Sequence, residues 1–411
     1  MNPEIEQWLS WDKKDSEKIK SMAPDQLKKA FSSRMAFGTA GLRSTMGPGP
    51  SQMNDLTIIQ TSQGLIQYAR LHFGEEKLKH QGIVVGFDAR YNSHHWSKLL
   101  AAVCKEVGVK CYSFKKIVPT PFVPFAIKHF NACLGVMITA SHNPKEDNGY
   151  KVYWDNGSQI IPPHDKGIAA EILKNLKPWS DNVWNEENTG ALEVLDEVNS
   201  NYMQVLKNHS RSDNSKSKLK IVYTPVHGVG HDYVKEALTQ VFDFSEFHAV
   251  PEQFQPNPDF PTVTFPNPEE GKGVLELSFA HADKVGSNLV LASDPDADRL
   301  AVAQRENKNA PWRVFTGNEC GALLGYWAWK NWQKANPGKS GDDCYMLCST
   351  VSSMVLKAIA KKEGFNFEDT LTGFKWMGNR ADELIRDKKT VLFAYEEAIG
   401  FMYRKLEFLM E

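Results

Sequence analysis

Leu134-Gly135-Val136-Met137-Ile138-Thr139-Ala140-Ser141-His142-Asn143-Pro144 changes character half-way along. The first five residues carry no polar side chain, so an extended segment there offers no face to water; such runs belong to parallel strands covered by helices on both sides. From Thr139 the residues are small and polar, and Asn143-Pro144 ends the run in a turn. Working outward, the same kind of run recurs at 83–88, 220–223, 288–293 and 390–395. Between these, 96–107, 121–129, 273–283 and 352–363 space apolar residues three and four apart, as helices with one buried face do. Strand alternating with helix predicts an α/β fold with mixed, largely parallel sheets.

The chain has 411 residues, enough for two or three domains. The Trp- and Asn-rich stretch 175–197 and the charged stretch 304–311 read as linkers, and 251–273, with six prolines, reads as a long irregular loop. Boundaries are therefore expected near 190 and 308, giving three consecutive α/β domains at 1–190, 191–307 and 308–411. No exact internal repeat is visible, although each third shows the same rhythm of strand and helix.

Hydrophobic residues at 41% and charged residues at 24% exclude a disordered chain. Forty-eight basic against fifty acidic side chains leave a formal charge of −2, so there is no basic excess for nucleic acid or an anionic membrane, and an anionic ligand must be held by local groups. The six cysteines are scattered without a C-x-x-C pair, which speaks against a zinc ribbon or a disulfide framework and for buried thiols. With neither a signal-like N-terminus nor eighteen apolar residues in a row, a cytoplasmic protein is expected.

Five short stretches could carry chemistry. Thr139-Ala140-Ser141-His142-Asn143-Pro144 puts a serine at the carboxyl end of a buried strand, where α/β sheets open into a crevice that would display it; Asn148-Gly149 then turns the chain so that Lys151 returns beside it. A capped turn with a solvated lysine explains the same residues about as well. Ser293-Asp294-Pro295-Asp296-Ala297-Asp298-Arg299 places three carboxylates at alternate positions on a stiffened loop, a donor set suited to a hard divalent cation such as Mg2+. A calcium loop would need Gly and Glu where Arg299 and Arg305 stand. Phe37-Gly38-Thr39-Ala40-Gly41-Leu42-Arg43 offers glycine-exposed N–H groups beside an arginine able to fork onto phosphate, though a plain loop entering a helix reads the same. Tyr395-Glu396-Glu397-Ala398-Ile399-Gly400 sets two carboxylates at a strand end, where they could accept hydrogen bonds from sugar hydroxyls, and Thr372-Gly373-Phe374-Lys375-Trp376-Met377-Gly378 is a glycine-bracketed turn with one cation. Alone, the first is surface charge and the second is core aromatics.

Together these stretches suit phosphoryl transfer: an alcohol to carry the group, a cation to neutralise it, and an acid or base nearby. In order and in wording they resemble the α-D-phosphohexomutase superfamily, whose marks are the T-A-S-H-N-P loop, the D-x-D-x-D-R loop and the E-E-x-x-G loop. The forms Gly38-Thr39-Ala40-Gly41-Leu42-Arg43, Asp147-Asn148-Gly149-Tyr150-Lys151 and Gly373-Phe374-Lys375-Trp376-Met377-Gly378 are most similar to its eukaryotic phosphoglucomutase and phosphopentomutase branch.

The resemblance implies that Ser141 is the phosphoserine and, through its phosphate, a metal ligand with Asp294, Asp296 and Asp298. It implies Lys151 as general acid/base with His142 close by, Thr39 and Arg43 as the entrance motif, Arg299 as a substrate-side cation, and Gly373 with Lys375 as a substrate loop. Glu396 matches the glutamate that binds sugar hydroxyls, while Ala398 stands where many relatives carry serine. The implied reaction interconverts sugar 1-phosphates with 5- or 6-phosphates of ribose, deoxyribose and glucose, with Mg2+ and a sugar 1,6- or 1,5-bisphosphate primer. No nucleic-acid or membrane partner and a monomer are expected.

The resemblance also implies a fourth domain with an R-x-S-G-T-E-P phosphate loop. No such string occurs here, and the tail 403–411 does not read as its continuation, so the expectation is a chain lacking that domain. Three alternatives stay open: a catalytically weak form that binds metal or sugar phosphate, a glucose 1,6-bisphosphate synthase, and a phosphatase. That synthase is expected to differ from proline after S-H-N, so Pro144 favours the mutase.

Overall fold

A computed structural model describes residues 3–38 and 40–403, apart from the side chain of Lys272. Thr39 and the tail 404–411, both used in the sequence reading, lie outside the described residues. The chain divides into two compact units, Met1–Val198 and Asn199–Glu411.

The first unit is built on a six-stranded sheet ordered Gly41–Thr45, Asp147–Trp154, Leu134–Ile138, Ile83–Phe87, Cys111–Ser113, Leu192–Glu193. The last four run parallel, and the first two form an antiparallel edge. Ile83–Phe87 and Leu134–Ile138 are buried at every residue, as runs without a polar face require. Helix Asp55–Phe73 starts at a reciprocal cap, in which Asn54 accepts from the Thr57 N–H and Thr57 accepts from the Asn54 N–H.

The stretch 175–197 is not a linker. Gln60 and Gln63, fully buried on helix Asp55–Phe73, donate to the carbonyls of Leu176 (2.7 Å), Asn175 (2.8 Å) and Lys177 (3.0 Å), and Gln63 accepts from the Trp179 N–H at 2.8 Å. Trp179 and Trp184 pack on the core around the buried Val183. An irregular segment can be buried only if its backbone groups are satisfied, and the two amides do this. The strand Leu192–Glu193, beyond the boundary expected at 190, closes the first sheet.

The second unit contains two sheets. One is ordered Arg313–Val314, Leu300–Gln304, Leu289–Ser293, Lys220–Thr224, Glu246–Ala249; the other Phe365–Thr370, Gly341–Ser349, Thr390–Glu396, Gly400–Tyr403. The stretch 304–311 is the turn of a hairpin within the former, not a linker. There the buried Arg305 lies 4.6 Å from the Trp312 ring centre and donates to Asn288 Oδ1 (2.9 Å) and the Ser287 carbonyl (3.0 Å). The proline-rich stretch after Val250 is irregular as expected, with one short 3-10 turn at Pro268–Glu270.

All three sheets share one topology: three parallel strands with the first in chain order between the other two, then a return antiparallel to the third. In each, a motif singled out from the sequence occupies the turn between third strand and return strand. The repetition is invisible to sequence comparison because what recurs is the order of buried and turning segments and not the residues.

Candidate active site

In the first unit, Leu134–Ile138 leads into the serine loop and Asp147–Trp154 leads out of it. Ser141 adopts φ 54°, a left-handed conformation that costs a non-glycine residue about 1 to 3 kcal/mol. It is not displayed on an open crevice, as its position at a strand end suggested, but is 2% exposed. The loop is drawn inward by Arg90, whose side chain is 1% exposed. Its Nη2 donates to the carbonyls of Ser141 (2.7 Å) and Asn143 (2.6 Å), and its Nη1 to those of Pro144 (2.8 Å) and Asp147 (3.2 Å). Hydrogen bonds from a charged donor are worth about 1.5 to 3 kcal/mol each, so four of them exceed the backbone cost at Ser141. Thr139 Oγ1 accepts from the Ser141 N–H at 2.9 Å and donates to Asp88 Oδ2 at 2.6 Å. Ser93 Oγ donates to Asp88 Oδ1 at 2.7 Å.

Ser141 Oγ lies 3.3 Å from His142 Nδ1. Lys151 stands opposite Met137 and Gly41 in register and is 8% exposed. Its neighbour Tyr150 reaches Ser62 Oγ at 3.1 Å on the core side, so Lys151 projects from the other face. The stretch before Arg43 does not enter a helix. Gly38 and Gly41 pair with each other, and the strand Gly41–Thr45 follows directly. Gly41 has φ 134°, and a Cβ there would sit 1.8 Å from the Tyr150 carbonyl oxygen, so only glycine fits. Arg43 Nη1 donates to Asn143 Oδ1 at 3.0 Å.

In the second unit, Asp294, Asp296 and Asp298 bring carboxylate oxygens within 4.8 Å of one another, the first two fully buried. Asp294 Oδ1 accepts from the N–H groups of Asp298 (3.2 Å) and Arg299 (3.1 Å), which curls the loop around it. Burial first, then the charges of Asp296 and Asp298, push the Asp294 carboxyl well above the usual range. Three converging oxygen donors with mutual repulsion are the chemistry of a hard divalent cation site, so the residues fit Mg2+.

Arg299 joins this loop to the glutamate motif. Its Nη1 donates to the Ala398 carbonyl at 3.2 Å and lies 3.6 Å from Glu269 Oε2. Burial pulls the guanidinium pKa down, but the surrounding carboxylates, led by Asp294 and Asp298, outweigh it and raise the net value. The Leu300 N–H donates to the Ile399 carbonyl at 3.0 Å, pinning the two loops together. Ala398 thus supplies a carbonyl, a contact that does not depend on its side chain.

The two adjacent glutamates divide. Glu397 Oε2 accepts from Ser349 Oγ (2.9 Å) and Ser352 Oγ (3.2 Å), which makes it part of the loop's frame. Glu396 is raised to about 7, first by burial and then by Glu397, Asp298 and Glu269, against the lowering effect of Arg299. Gly373, φ 110°, precedes helix Phe374–Arg386, so Phe374 to Gly378 form the helix's opening turns and not a bracketed loop; Met377 is core, and Lys375 lies with Nζ 5.7 Å from the Trp376 ring centre.

Three domain models described as phosphoglucomutase/phosphomannomutase, alpha/beta/alpha domains I, II and III match residues 34–178, 200–307 and 316–408 in order. Human phosphopentomutase is 53% identical over 98% of this chain and 68% of its own length. The chain belongs to the α-D-phosphohexomutase superfamily. Within it, human glucose 1,6-bisphosphate synthase is 49% identical over 97% of this chain and 66% of its own length. The phosphoglucomutase/phosphomannomutase family protein of Burkholderia thailandensis shares the fold, with TM-score 0.67 and 18% identity over 89% of this chain and 71% of that one. The chain is thus an isomerase of the phosphomutase kind, and among its described residues no helix is long and apolar enough to cross a membrane. Asp88, Arg90, Glu269, Ser349 and Ser352 escaped the sequence reading. The one available signal was Asp88-Ala89-Arg90 directly after a buried strand, the same placement that drew attention to Ser141.

Proposed function

We propose that this chain moves a phosphoryl group between the 1-position and the 5- or 6-position of a sugar, with Ser141 as the carrier and ribose or deoxyribose phosphates as the first substrates. The observation that carries the reading is the cluster of Asp294, Asp296 and Asp298, the first two fully buried, joined through Arg299 to the loop of Glu396 and Ala398. A divalent-cation site beside a carboxylate able to accept from hydroxyls suits the chemistry of phosphorylated polyols. Mg2+ held there would neutralise charge on the transferring phosphoryl group.

Phosphorylated Ser141 gives its phosphoryl group to the free hydroxyl of a sugar monophosphate, and the hydroxyl proton passes to the serine. The resulting bisphosphate turns round, its other phosphoryl group returns to the serine, and the freed sugar oxygen takes up the proton lost by Ser141 Oγ. His142 Nδ1, 3.3 Å from that oxygen, can hold the proton in passing. Lys151, nearly excluded from water on the strand that leads out of the serine loop, is placed to exchange a proton with the attacked hydroxyl. Arg299 and Arg43 bind phosphate oxygens in forked geometry. Glu396 accepts from sugar hydroxyls, and ribose and glucose both present vicinal pairs.

The 53% identity to a phosphopentomutase, and Pro144 after Ser-His-Asn, favour mutase over bisphosphate synthase. The test is turnover of ribose 1-phosphate and glucose 1-phosphate with Mg2+ and a bisphosphate primer, beside the same assay with an acyl phosphate donor. Mutase activity is expected to vanish in Ser141→Ala and on chelation. Full turnover by Ser141→Ala would overturn the reading, and bisphosphate formed only from the acyl phosphate would replace it with the synthase.

A further inference from the structure

Each chemistry-bearing loop is held by a second loop at one recurring place, the turn that follows the first parallel strand of the same sheet. In the first sheet this turn begins at Asp88, and Arg90 grips four carbonyls of the Ser141 loop from below. In the second it runs from Pro225 to Gly230. There Val226 (φ 48°) and His227 (φ 60°) are both left-handed, the Val229 N–H donates to the Pro295 carbonyl at 2.9 Å, and a Cβ on Gly228 would lie 2.3 Å from Pro295 Cα. In the third, Ser349 and Ser352 hold Glu397, whose own N–H donates to Ser352 Oγ at 3.1 Å.

The residue types differ, while the position in the topology does not. Adjacent parallel strands bring these two turns to the same sheet end, so the supporting turn is always within reach of the functional one. Strained backbone is kept where surrounding structure over-determines it, and here strain appears on the functional loop (Ser141, Ala297, Ile399) in every sheet.

We propose that Arg90 is the positioning residue for Ser141, and that Gly228 and Ser352 fill the same part for the Asp294–Asp298 and Glu396 loops. Arg90 touches no substrate in this scheme. Its planar fork satisfies carbonyls that point in different directions, which keeps Ser141 left-handed and its hydroxyl aimed before the phosphoryl donor arrives. A lysine carries the same charge but not the fork. The kinetic part of this inference rests on Ser141 being the phosphoryl carrier; the structural part does not.

The experiment compares the full chain with Arg90→Lys by amide hydrogen exchange and by the rate at which Ser141 gains phosphate from glucose 1,6-bisphosphate, read by mass. Exchange across 139–148 should quicken by about tenfold or more while helix Asp55–Phe73 is unchanged, since only local opening is affected. Phosphoryl transfer should slow about tenfold to a hundredfold with a smaller change in KM, the signature of misaimed rather than unbound reactants. Mn2+ binding, which depends on the second unit, should be unaltered in Arg90→Lys and weakened in Gly228→Ala. Wild-type exchange and transfer rates in Arg90→Lys would overturn the proposal. If 139–148 loosens but Ser141 of the unaltered chain never gains phosphate, the positioning role stands and the mutase reading falls. Should Arg90→Lys fail to fold, Ser93→Ala removes one bond to Asp88, whose Oδ2 lies 3.4 Å from Arg90 Nε, and also the bond that Asn148 Nδ2 donates to Ser93 Oγ. Read over 139–144, clear of Asn148, exchange must quicken and transfer slow by a smaller factor, and no shift there overturns the proposal equally.

Discussion

Glu396 offers a direct check on the electrostatics of the metal and glutamate loops. Its carboxyl is raised to about 7 from an ordinary 4.5, chiefly by burial. A carboxyl whose folded pKa lies above its unfolded one favours the folded state fully below pH 4.5, and that contribution is lost as pH rises to 7 and beyond. A shift of two and a half units at 1.36 kcal/mol each makes the ionised form cost about 3 kcal/mol. For a unit of this size that is a fall of about 6 to 12 °C in melting temperature between pH 5 and pH 8. Glu396→Gln keeps the shape and cannot ionise, so the variant should lose this pH dependence and melt higher than the parent at pH 8. Scanning calorimetry of both proteins in EDTA, following the transition of the second unit at four pH values, measures it. Parallel curves for the two proteins would refute the reasoning. A gain in stability at pH 8 should come with weaker sugar-phosphate binding, because the same charge is the acceptor for hydroxyls.

His95 lies between Asp55 Oδ2 and Glu186 Oε2, each 2.7 Å from a ring nitrogen, and the bond to Asp55 above all raises its pKa despite burial. That support is fully present below pH 6.5 and is lost as pH climbs through the raised value, so His95→Gln should lower the first unit's stability by about 1 to 3 kcal/mol at pH 6 and by less at pH 9, read by urea unfolding. Gly41→Ala forces a Cβ onto the Tyr150 carbonyl; it should cost about 2 kcal/mol or more and raise KM through displacement of Arg43, and an unchanged urea midpoint would show that the turn yields freely.

The buried strands were legible because their physics is local. A run such as Leu134 to Ile138 has no polar face in any extended conformation, whichever partners it finds, and the observed strands fall within a residue of the expected ones. The carboxylate loop was legible for the same reason: three aspartates at alternate positions on a proline-stiffened turn must converge or repel. The stretch 175–197 was misread because its polarity is answered at a distance, by Gln60 and Gln63 more than a hundred residues away.

By itself, then, the sequence determined which segments are buried, where strands give way to turns, and which side chains carry charge at those turns. Only the tertiary structure decided that Glu397 is frame while Glu396 faces the charges of the metal loop, and that Ser141 is buried and left-handed. It alone shows one supporting turn recurring in three sheets. These depend on contacts such as Arg90 with four carbonyls fifty residues further on, or Ser352 with Glu397, which no local pattern encodes because hydrogen bonds are selected by what the folded chain brings within about 3 Å.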